Sequence, residues 1–304
     1  MKRILIVGCG DIALRVAQLL RVRYRLFGLA RSTARFDELR AAGIIPLHGD
    51  LDDAASLHRL AGLAHIVLHF APPPSAPPLT RGGRGELAVD LRTRNLLAAL
   101  SRACPEHGRR SMLPQRLIYI STSGVYGDCA GALVAETHPL NTQTARAQRR
   151  VDAEKQIRDW SKRNGVNASI LRVPGIYAAD RLPLDRLRAG TPAIMQEEDS
   201  YTNHIHADDL ACIVLAALRH AKPNRVYHTS DDSELKMGDY FDSVADAFGL
   251  PRLPRTSREQ VQRTLPESLL SYMNESRRLS NTRMRRELKV VLRYPTVADM
   301  LKGV

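Results

Sequence analysis

The sequence KRILIVGCGDIA, residues 2–13, decides the fold. Its apolar run Ile4–Val7 is typical of a parallel strand that is buried on both faces. Gly8 lets the chain turn sharply out of the strand, and Gly10, which has no Cβ, lets backbone amides approach a pyrophosphate at the start of a helix predicted over Asp11–Leu20. An alanine replaces the third glycine of the G-x-G-x-x-G pattern, which the pattern permits. A strand, a glycine turn and an amphipathic helix in this order predict a dinucleotide-binding unit.

Composition narrows the class of protein. A chain of 304 residues is long enough for one nucleotide-binding domain with a smaller lobe attached. Ile4–Val7 is too short for the core of a signal peptide, and no apolar run approaches the roughly 20 residues of a membrane span. The cysteines form no C-x-x-C pair, so neither a zinc site nor a disulfide framework is indicated; they are Cys9, Cys104, Cys129 and Cys212. We therefore expect a cytoplasmic protein with no membrane partner.

The net charge of +13 raises the question of nucleic-acid binding. Seven of the 45 basic residues are lysines, and the other 38 are arginines that are spread over the whole chain. The aromatic residues that alternate with basic ones in single-strand binders are missing from the basic runs. This distribution favours solvated helix faces, so nucleic acid is not expected as a partner.

The end of the second predicted strand, Tyr24–Leu29, bears on the type of dinucleotide. In the dinucleotide fold an acidic residue at this corner bonds the ribose hydroxyls, whereas an arginine accommodates a 2′-phosphate. This chain has Arg31 and Ser32 there, with Arg35 close by and no acidic residue in competition. The pattern favours NADP, with NAD as the alternative if Arg31 is only an exposed arginine in an arginine-rich protein.

Two further strand ends are expected to border the same ligand. Asp50 and Leu51 follow a strand predicted over Ile44–His48, and Asp50 bonds the adenine amino group, caps a helix over Ala54–Leu60, or does both. Ala71 and Pro72 follow a strand over His65–Phe70 and begin a loop rich in proline and glycine that ends near Gly85. Loops beyond the carboxyl ends of parallel strands are where ligands bind, so this loop is expected to cover the cofactor.

The remaining pattern predicts further helices and strands but no metal site. His65 and His69 are interpreted as buried or edge histidines, and His206 and Asp208 as residues that organise and cap a helix. Helices are predicted over Phe36–Ala42, Glu86–Ala103, Ala207–His220 and Met237–Phe248. Strands are predicted over Arg116–Ile120, Asn167–Val173 and Val226–Thr229.

Five segments in order resemble the extended short-chain dehydrogenase/reductase superfamily, the group of sugar-nucleotide epimerases and dehydratases. They are GCGDIA (8–13), STSGVYG (121–127), ILRVPGIYAADR (170–181), NHIHADDLA (203–211) and RRLSNTRMRRELKVVLRYPT (277–296). The resemblance implies an α/β fold, a doubly wound Rossmann parallel sheet with a small α/β substrate lobe near the C-terminus. The Rossmann domain would comprise residues 1–177 and 204–229, and the lobe residues 178–203 and 230–304. It also implies a homodimer through a four-helix bundle, to which Glu86–Ala103 and Ala147–Arg163 would contribute.

The chain departs from the catalytic pattern of this family. A Ser or Thr four residues before the Tyr-Gly pair polarises the substrate carbonyl in the family, and Thr122 has that position. Family dehydratases continue with Asp-Glu, whereas this chain has Ser123 and Gly124, which disfavours dehydration. Aligning Glu154 with the family's glutamate four residues after the lysine of Y-x-x-x-K places Arg146 at the tyrosine and Arg150 at the lysine.

Arg146 cannot exchange a proton near neutral pH, because a guanidinium stays charged in proteins. Arg150 can still bond the nicotinamide ribose. Tyr126 is the best remaining proton donor if a neighbouring cation lowers its pKa; the alternative is that it only packs at the strand end, as its counterparts in the family commonly do. The expected catalytic residues are therefore Thr122, Tyr126 and Arg150.

The resemblance adds Pro174, in the loop that passes the nicotinamide, to the cofactor site. The residues expected to bind the dinucleotide are Gly8, Cys9, Gly10, Asp11, Ile12, Arg31, Ser32, Asp50, Leu51, Ala71, Pro72, Arg150 and Pro174. The chain is expected to be an NAD(P)-dependent oxidoreductase or epimerase-like protein that acts on a small polar or sugar-like carbonyl or alcohol. Because the active-site tyrosine is missing, a non-catalytic NAD(P)-binding sensor or scaffold is the alternative.

Overall fold

Seven parallel strands form the central sheet of the computed structural model, which describes residues 1–74, 89–102, 112–264, 270 and 273–303. Their order across the sheet is β3-β2-β1-β4-β5-β6-β7, the order of a doubly wound Rossmann sheet. The predicted fold class is therefore confirmed. The strands are β1 (Lys2–Val7), β2 (Tyr24–Ala30), β3 (Ile44–His48), β4 (Ile66–His69), β5 (Arg116–Thr122), β6 (Asn167–Val173) and β7 (Arg225–His228).

Helices cover both faces of this sheet, and β1 shows why. Successive side chains of a strand point to opposite faces. Ile4 and Ile6 accordingly pack into the core on one side, whereas Leu5 and Val7 pack into the core on the other. The helices are α1 (Asp11–Leu20), α2 (Phe36–Ala41), α3 (Leu91–Ser101), α4 (Ala145–Asn164), α5 (Leu184–Arg188), α6 (Ala207–His220), α7 (Met237–Ala247), α8 (Arg258–Thr264), α9 (Thr282–Leu288) and α10 (Val297–Leu301).

The two helical layers have different members. Helices α1 and α6 pack together on the face of Ile4 and Ile6, and α3 and α4 pack on the face of Leu5 and Val7. The predicted helix over Ala54–Leu60 is present, as a 3-10 helix. The predicted helix over Glu86–Ala103 is seen as α3, and residues 86–88 and 103 lie outside the described part of the chain. Residues 75–85 of the loop that is expected to cover the cofactor, and Cys104, also lie outside the described part of the chain.

A separate apolar core holds the substrate lobe together. It contains Tyr177, Leu187, Tyr240, Phe241 and residues of α10. Short strands complete the lobe and its junction with the sheet: Gly175–Tyr177 pairs with His204–His206, Ala193–Ile194 with Arg255–Thr256, Tyr201–Thr202 with Leu235–Lys236, and Leu133–Val134 with Arg278–Leu279.

Part of the C-terminal segment packs against the Rossmann sheet and not in the lobe core. Met284 and Leu288 of α9, with Leu292 after it, pack into the core of the Rossmann sheet beside α6. This part of the predicted lobe therefore belongs to the Rossmann layer by packing.

The Gly8 position gives a direct test of this packing. Gly8→Ala should lower the free energy of unfolding by about 3 kcal/mol or more, because a Cβ there would lie 2.4 Å from the backbone nitrogen of Ala71 at a φ of +94°. Gly165→Ala is the matched control. Gly165 has a φ of +65° but open space around a Cβ, so this substitution should lower the free energy of unfolding by about 1 kcal/mol. Urea unfolding curves of both variants measure the difference. Equal losses would contradict the close approach.

Candidate dinucleotide site

The glycine turn places the start of α1 at the carboxyl end of the sheet. Gly8 passes so close to Ala71 that no side chain fits between them. Gly10 is the N-cap of α1 and offers no side chain to cap it, and a Cβ at Gly10 would meet no atom within 4 Å. The first amides of a helix have no partner within the helix, and the helix dipole makes this end positive. The open space beside Gly10 is therefore suited to an anion.

A cleft of about 530 Å³ lies over this turn. Twelve of the thirteen predicted cofactor residues border it, and Pro174 does not; Ile176 of the same loop borders it instead. Of the predicted catalytic residues, Arg150 borders the cleft, and Thr122 and Tyr126 do not. The residues that line it without having been predicted include Ala13, Phe70, Arg92, Ile120, Ile176 and Arg181.

Positive charge dominates the cleft. Five arginines border it, against two aspartates, Asp11 and Asp50. The arginines come from four segments of the chain: Arg31 and Arg35 from the corner after β2, and Arg92, Arg150 and Arg181 from three others. Because a low-dielectric cleft focuses the field of its charges, this wall attracts anionic ligands.

The corner after β2 carries two of these arginines. The guanidinium of Arg35 pairs with Glu38 and donates to the backbone oxygen of Cys9 at 2.7 Å, so it is fixed beside the glycine turn. The side chain of Arg31 is exposed at the cleft edge. Ser32 accepts a hydrogen bond from the next 3-10 turn, which leaves its hydroxyl proton available to a ligand.

Cys9 lies in the glycine turn, but its thiol is unreactive near neutral pH. Its thiol is buried and lies 3.6 Å from the backbone oxygen of Leu29. Burial raises the pKa of Cys9 to about 12, so the reactive thiolate is not formed near neutral pH.

Asp50 faces the cleft, and the capping role that was considered for it belongs to another residue. The Asp53 side chain caps the 3-10 helix Ala54–Leu60 by accepting from the amide of Ala55. Asp50 accepts from the amide of Asp52 at 3.0 Å and borders the cleft. Its second carboxylate oxygen can accept from a ligand amino group.

Arg150 closes the far end of the cleft. Its Nη1 atom donates to Tyr119 Oη at 2.9 Å and to the backbone oxygen of Ile120 at 2.8 Å. The side chain is buried, and its Nε–H has no acceptor among the residues that the structure describes. His69 packs on the same Tyr119 ring, and burial lowers the pKa of His69 to about 3, so no second charge competes with Arg150.

Thr122 and Arg146 occupy the positions that the family pattern assigns to carbonyl polarisation and to the tyrosine. Thr122 ends β5, and its Oγ1 accepts from the amide of Gly124 at 3.2 Å. This bond uses the oxygen of the hydroxyl as acceptor, so its proton can be donated to a carbonyl. Arg146 is exposed in the first turn of α4, one turn before Arg150.

Tyr126 is sealed into a buried polar network. Its Oη lies 2.5 Å from His228 Nε2 and accepts from Arg172 at 2.6 Å. His228 Nδ1 lies 3.0 Å from the backbone oxygen of Ser280, a pure acceptor, so Nε2 is the nitrogen that accepts the proton of Tyr126. Burial raises the pKa of Tyr126, against the opposite effect of Arg172. The structure thus favours the packing role of Tyr126 over that of proton donor.

A buried ion pair supports this network. Arg172 on β6 binds Glu154 on α4 through two hydrogen bonds of 3.0 and 2.7 Å, and both side chains are 4 % exposed. Ser121 donates to the same carboxylate at 2.6 Å. Glu154 was used as a sequence landmark, but its partner lies 18 residues away on a strand, which no local pattern reveals.

The histidines of the NHIHADDLA segment serve structure. His206 caps α6 by accepting from the amide of Asp208 at 3.2 Å, which confirms the predicted capping role. Asp208 in turn binds Arg15 of α1 at 2.6 Å. Within the described ranges, no group of three or more His, Cys, Asp or Glu side chains is placed to hold a metal ion.

The fold and the cleft together define a nucleotide-binding protein of the doubly wound α/β class. The model of the NAD dependent epimerase/dehydratase family matches residues 4–229. The chain belongs to this family, as the resemblance implied. No curated protein matches the sequence. Within the described residues, no helix is long and apolar enough to span a membrane.

Solved structures agree with this assignment. A functionally unknown conserved protein from Silicibacter pomeroyi is 26 % identical, with a TM-score of 0.77 over 100 % of this chain and 98 % of that one. The dTDP-glucose 4,6-dehydratase DesIV from Streptomyces venezuelae, solved with NAD and TYD bound, is 21 % identical, with a TM-score of 0.75 over 99 % and 95 %. The UDP-glucuronic acid 4-epimerase from Bacillus cereus is 17 % identical, with a TM-score of 0.74 over 99 % and 96 %. The last two similarities concern the fold.

The buried network predicts what loss of the Tyr126 hydroxyl does. Tyr126→Phe should lower the free energy of unfolding by about 2 kcal/mol, because Arg172 and His228 lose a buried partner. Dinucleotide affinity should stay unchanged, because Tyr126 does not border the cleft. Tyr201→Phe, at a half-buried ring outside the network, is the control and should leave stability unchanged. An unchanged stability of Tyr126→Phe would count against the network.

Proposed function

We propose that the chain is an NAD(P)-dependent oxidoreductase or epimerase-like enzyme that acts on a small polar or sugar-like carbonyl or alcohol. The observation that carries this proposal is the cleft over the glycine turn, where space beside Gly10 meets the positive end of α1. Membership of the NAD dependent epimerase/dehydratase family supports it. So do two structural relatives: DesIV was solved with NAD and TYD bound, and the UDP-glucuronic acid 4-epimerase with UDP-glucuronic acid and NAD.

The residues along the cleft fit a dinucleotide from end to end. The start of α1 would hold the diphosphate, and Asp50 would accept from the adenine amino group. Arg31 and Ser32 would contact the adenosine ribose and its 2′ substituent. Arg150 would bond the nicotinamide ribose through the N–H groups that are not already bonded to Tyr119 and Ile120.

NADP is the proposed preference. A 2′-phosphate carries about two negative charges, and guanidinium groups bind phosphate through paired hydrogen bonds. Arg31 and Arg35 border the cleft at this corner, and no acidic side chain follows β2 within the cleft wall that the structure describes. Arg35 is already paired with Glu38, so Arg31 is the guanidinium proposed to engage the 2′-phosphate.

Thr122 is the residue proposed to act on the substrate. A bound nicotinamide would supply the hydride chemistry. The Thr122 hydroxyl, held by the amide of Gly124, would donate to the substrate carbonyl oxygen. Because Tyr126 is buried, a water molecule or a substrate hydroxyl is a better source than Tyr126 for the proton that the carbonyl oxygen takes up.

A non-catalytic sensor or scaffold is the second candidate, and Tyr126 is the observation that favours it. Among the residues that the structure describes, no tyrosine borders the cleft, and Tyr126 is buried and bound to Arg172 and His228. The two candidates share the cofactor and differ in turnover. Oxidation of NADPH with any member of a panel of carbonyl compounds and nucleotide sugars, lost in Thr122→Val, would establish the enzyme.

The proposed homodimer would use α3 and α4, which pack side by side. After Ala145, the exposed side chains of α4 are charged or amide groups, among them Arg146, Lys155, Asp159 and Lys162. A four-helix bundle through this face would therefore be held by charge pairs more than by apolar contact. A cytoplasmic location remains part of the same proposal.

The cofactor preference gives the first test of function. In parallel fluorescence titrations we expect NADPH to bind at least about tenfold more tightly than NADH. Arg31→Ala should weaken NADPH binding by about tenfold and leave NADH binding unchanged, because NADH has no 2′-phosphate for the guanidinium to bind.

Arg40→Ala is the matched control, since Arg40 lies on α2 with Asp37 as its partner and does not border the cleft. It should bind both nucleotides like the native protein. Equal affinities for NADPH and NADH in the native protein would contradict the NADP preference. Failure to bind either nucleotide would contradict the proposed function as a whole.

A further inference from the structure

The turn that leads into the substrate lobe places an arginine over the start of α1. The chain leaves the strand Gly175–Tyr177 through a 3-10 turn, Ala179–Arg181, and the Arg181 side chain borders the cleft. Its Nη1 atom lies 3.0 Å from Asp11 Oδ2 in the first turn of α1. The other four arginines of the cleft come from the Rossmann domain, so Arg181 reaches the cleft from the lobe side.

Asp11 is an unusual neighbour for a phosphate. A carboxylate in the first turn of a helix is favourable for the helix dipole, but it repels an anion that approaches the same amides. Arg181 offsets that repulsion in the structure. Its side chain and that of Asp11 are each 37 % exposed, so water reaches the pair and an incoming anion can compete for the guanidinium.

A second arginine makes this exchange feasible without leaving Asp11 unpaired. Arg15 Nε lies 2.9 and 3.1 Å from the two oxygens of Asp11, one helical turn away. Arg15 also lies 3.5 Å from Asp180, which neighbours Arg181, so the turn is docked on α1 by two crossed ion pairs. When Arg181 moves to another anion, Arg15 still neutralises Asp11, and Asp180 still holds the turn in place.

We infer that Arg181 is a diphosphate-binding residue that exchanges Asp11 for the cofactor, so that the diphosphate is held between the amides of α1 and a guanidinium from the lobe. This inference rests on the proposed dinucleotide site and adds a residue to it. A guanidinium binds two phosphate oxygens at once, and the bond is charge-assisted. Cofactor binding would then tie the turn before the substrate lobe to the glycine turn of the Rossmann domain.

The test separates the diphosphate from the 2′-phosphate. Affinities of NADPH are measured by fluorescence titration, and those of ADP and adenosine 2′-monophosphate by displacement of NADPH. Arg181→Ala should weaken the binding of NADPH and of ADP by about tenfold and leave the binding of adenosine 2′-monophosphate unchanged. Arg181→Lys should restore part of the loss, because lysine keeps the charge but not the paired hydrogen bonds.

Arg188→Ala is the matched control. Arg188 is an exposed arginine of α5 with an aspartate partner, Asp185, and it does not border the cleft. It should bind all three ligands like the native protein, and thermal unfolding of each variant should match that of the native protein. Unchanged ADP and NADPH affinities in Arg181→Ala, or an equal loss for adenosine 2′-monophosphate, would overturn the inference while the proposed function stands. A native protein that binds neither NADPH nor NADH would instead overturn the proposed function.

Discussion

The contact of Gly8 with the backbone of Ala71 is the constraint on which the rest of the structure depends. It lets the chain leave the middle of a buried sheet and enter α1 within a few residues, with the start of that helix open to solvent. Any side chain at Gly8 would push β1 away from β4, and these two strands form the centre of the sheet. This close approach sets where the positive end of α1 meets the cleft.

The polar interior divides into two parts with different consequences. Around the cleft, the arginines keep N–H groups that a ligand can use. Arg150 has N–H groups that Tyr119 does not bind, and Arg181 can leave Asp11 for another anion. Beneath the strand ends, Glu154 and Arg172 form a fully buried pair whose groups are already satisfied. Such a pair is costly to disturb and holds α4 against the sheet. The first part is arranged for a ligand, and the second for stability.

The features that depend on short segments of sequence were predictable. The glycine turn, the strand ends at Arg31 and Asp50, and the missing tyrosine were all visible within short segments. Arg92 and Arg181 were missed as cleft residues because tertiary packing alone brings them there; Asp11 and Arg181 are 170 residues apart. The partner of Tyr126, His228, lies 102 residues further along the chain. The sequence could therefore place Tyr126 beside the strand end, but it could not show that its hydroxyl was already bound.

The most direct test of the account is the affinity of Gly10→Val for NADPH, measured beside its unfolding curve. A Cβ at Gly10 would have no neighbouring atom within 4 Å and the backbone there is extended, so the variant should fold like the native protein. The same side chain would fill the space through which a diphosphate must approach α1, so NADPH affinity should fall by about tenfold or more. A variant that folds normally and binds NADPH as tightly as the native protein would show that the cleft over the glycine turn is not the dinucleotide site.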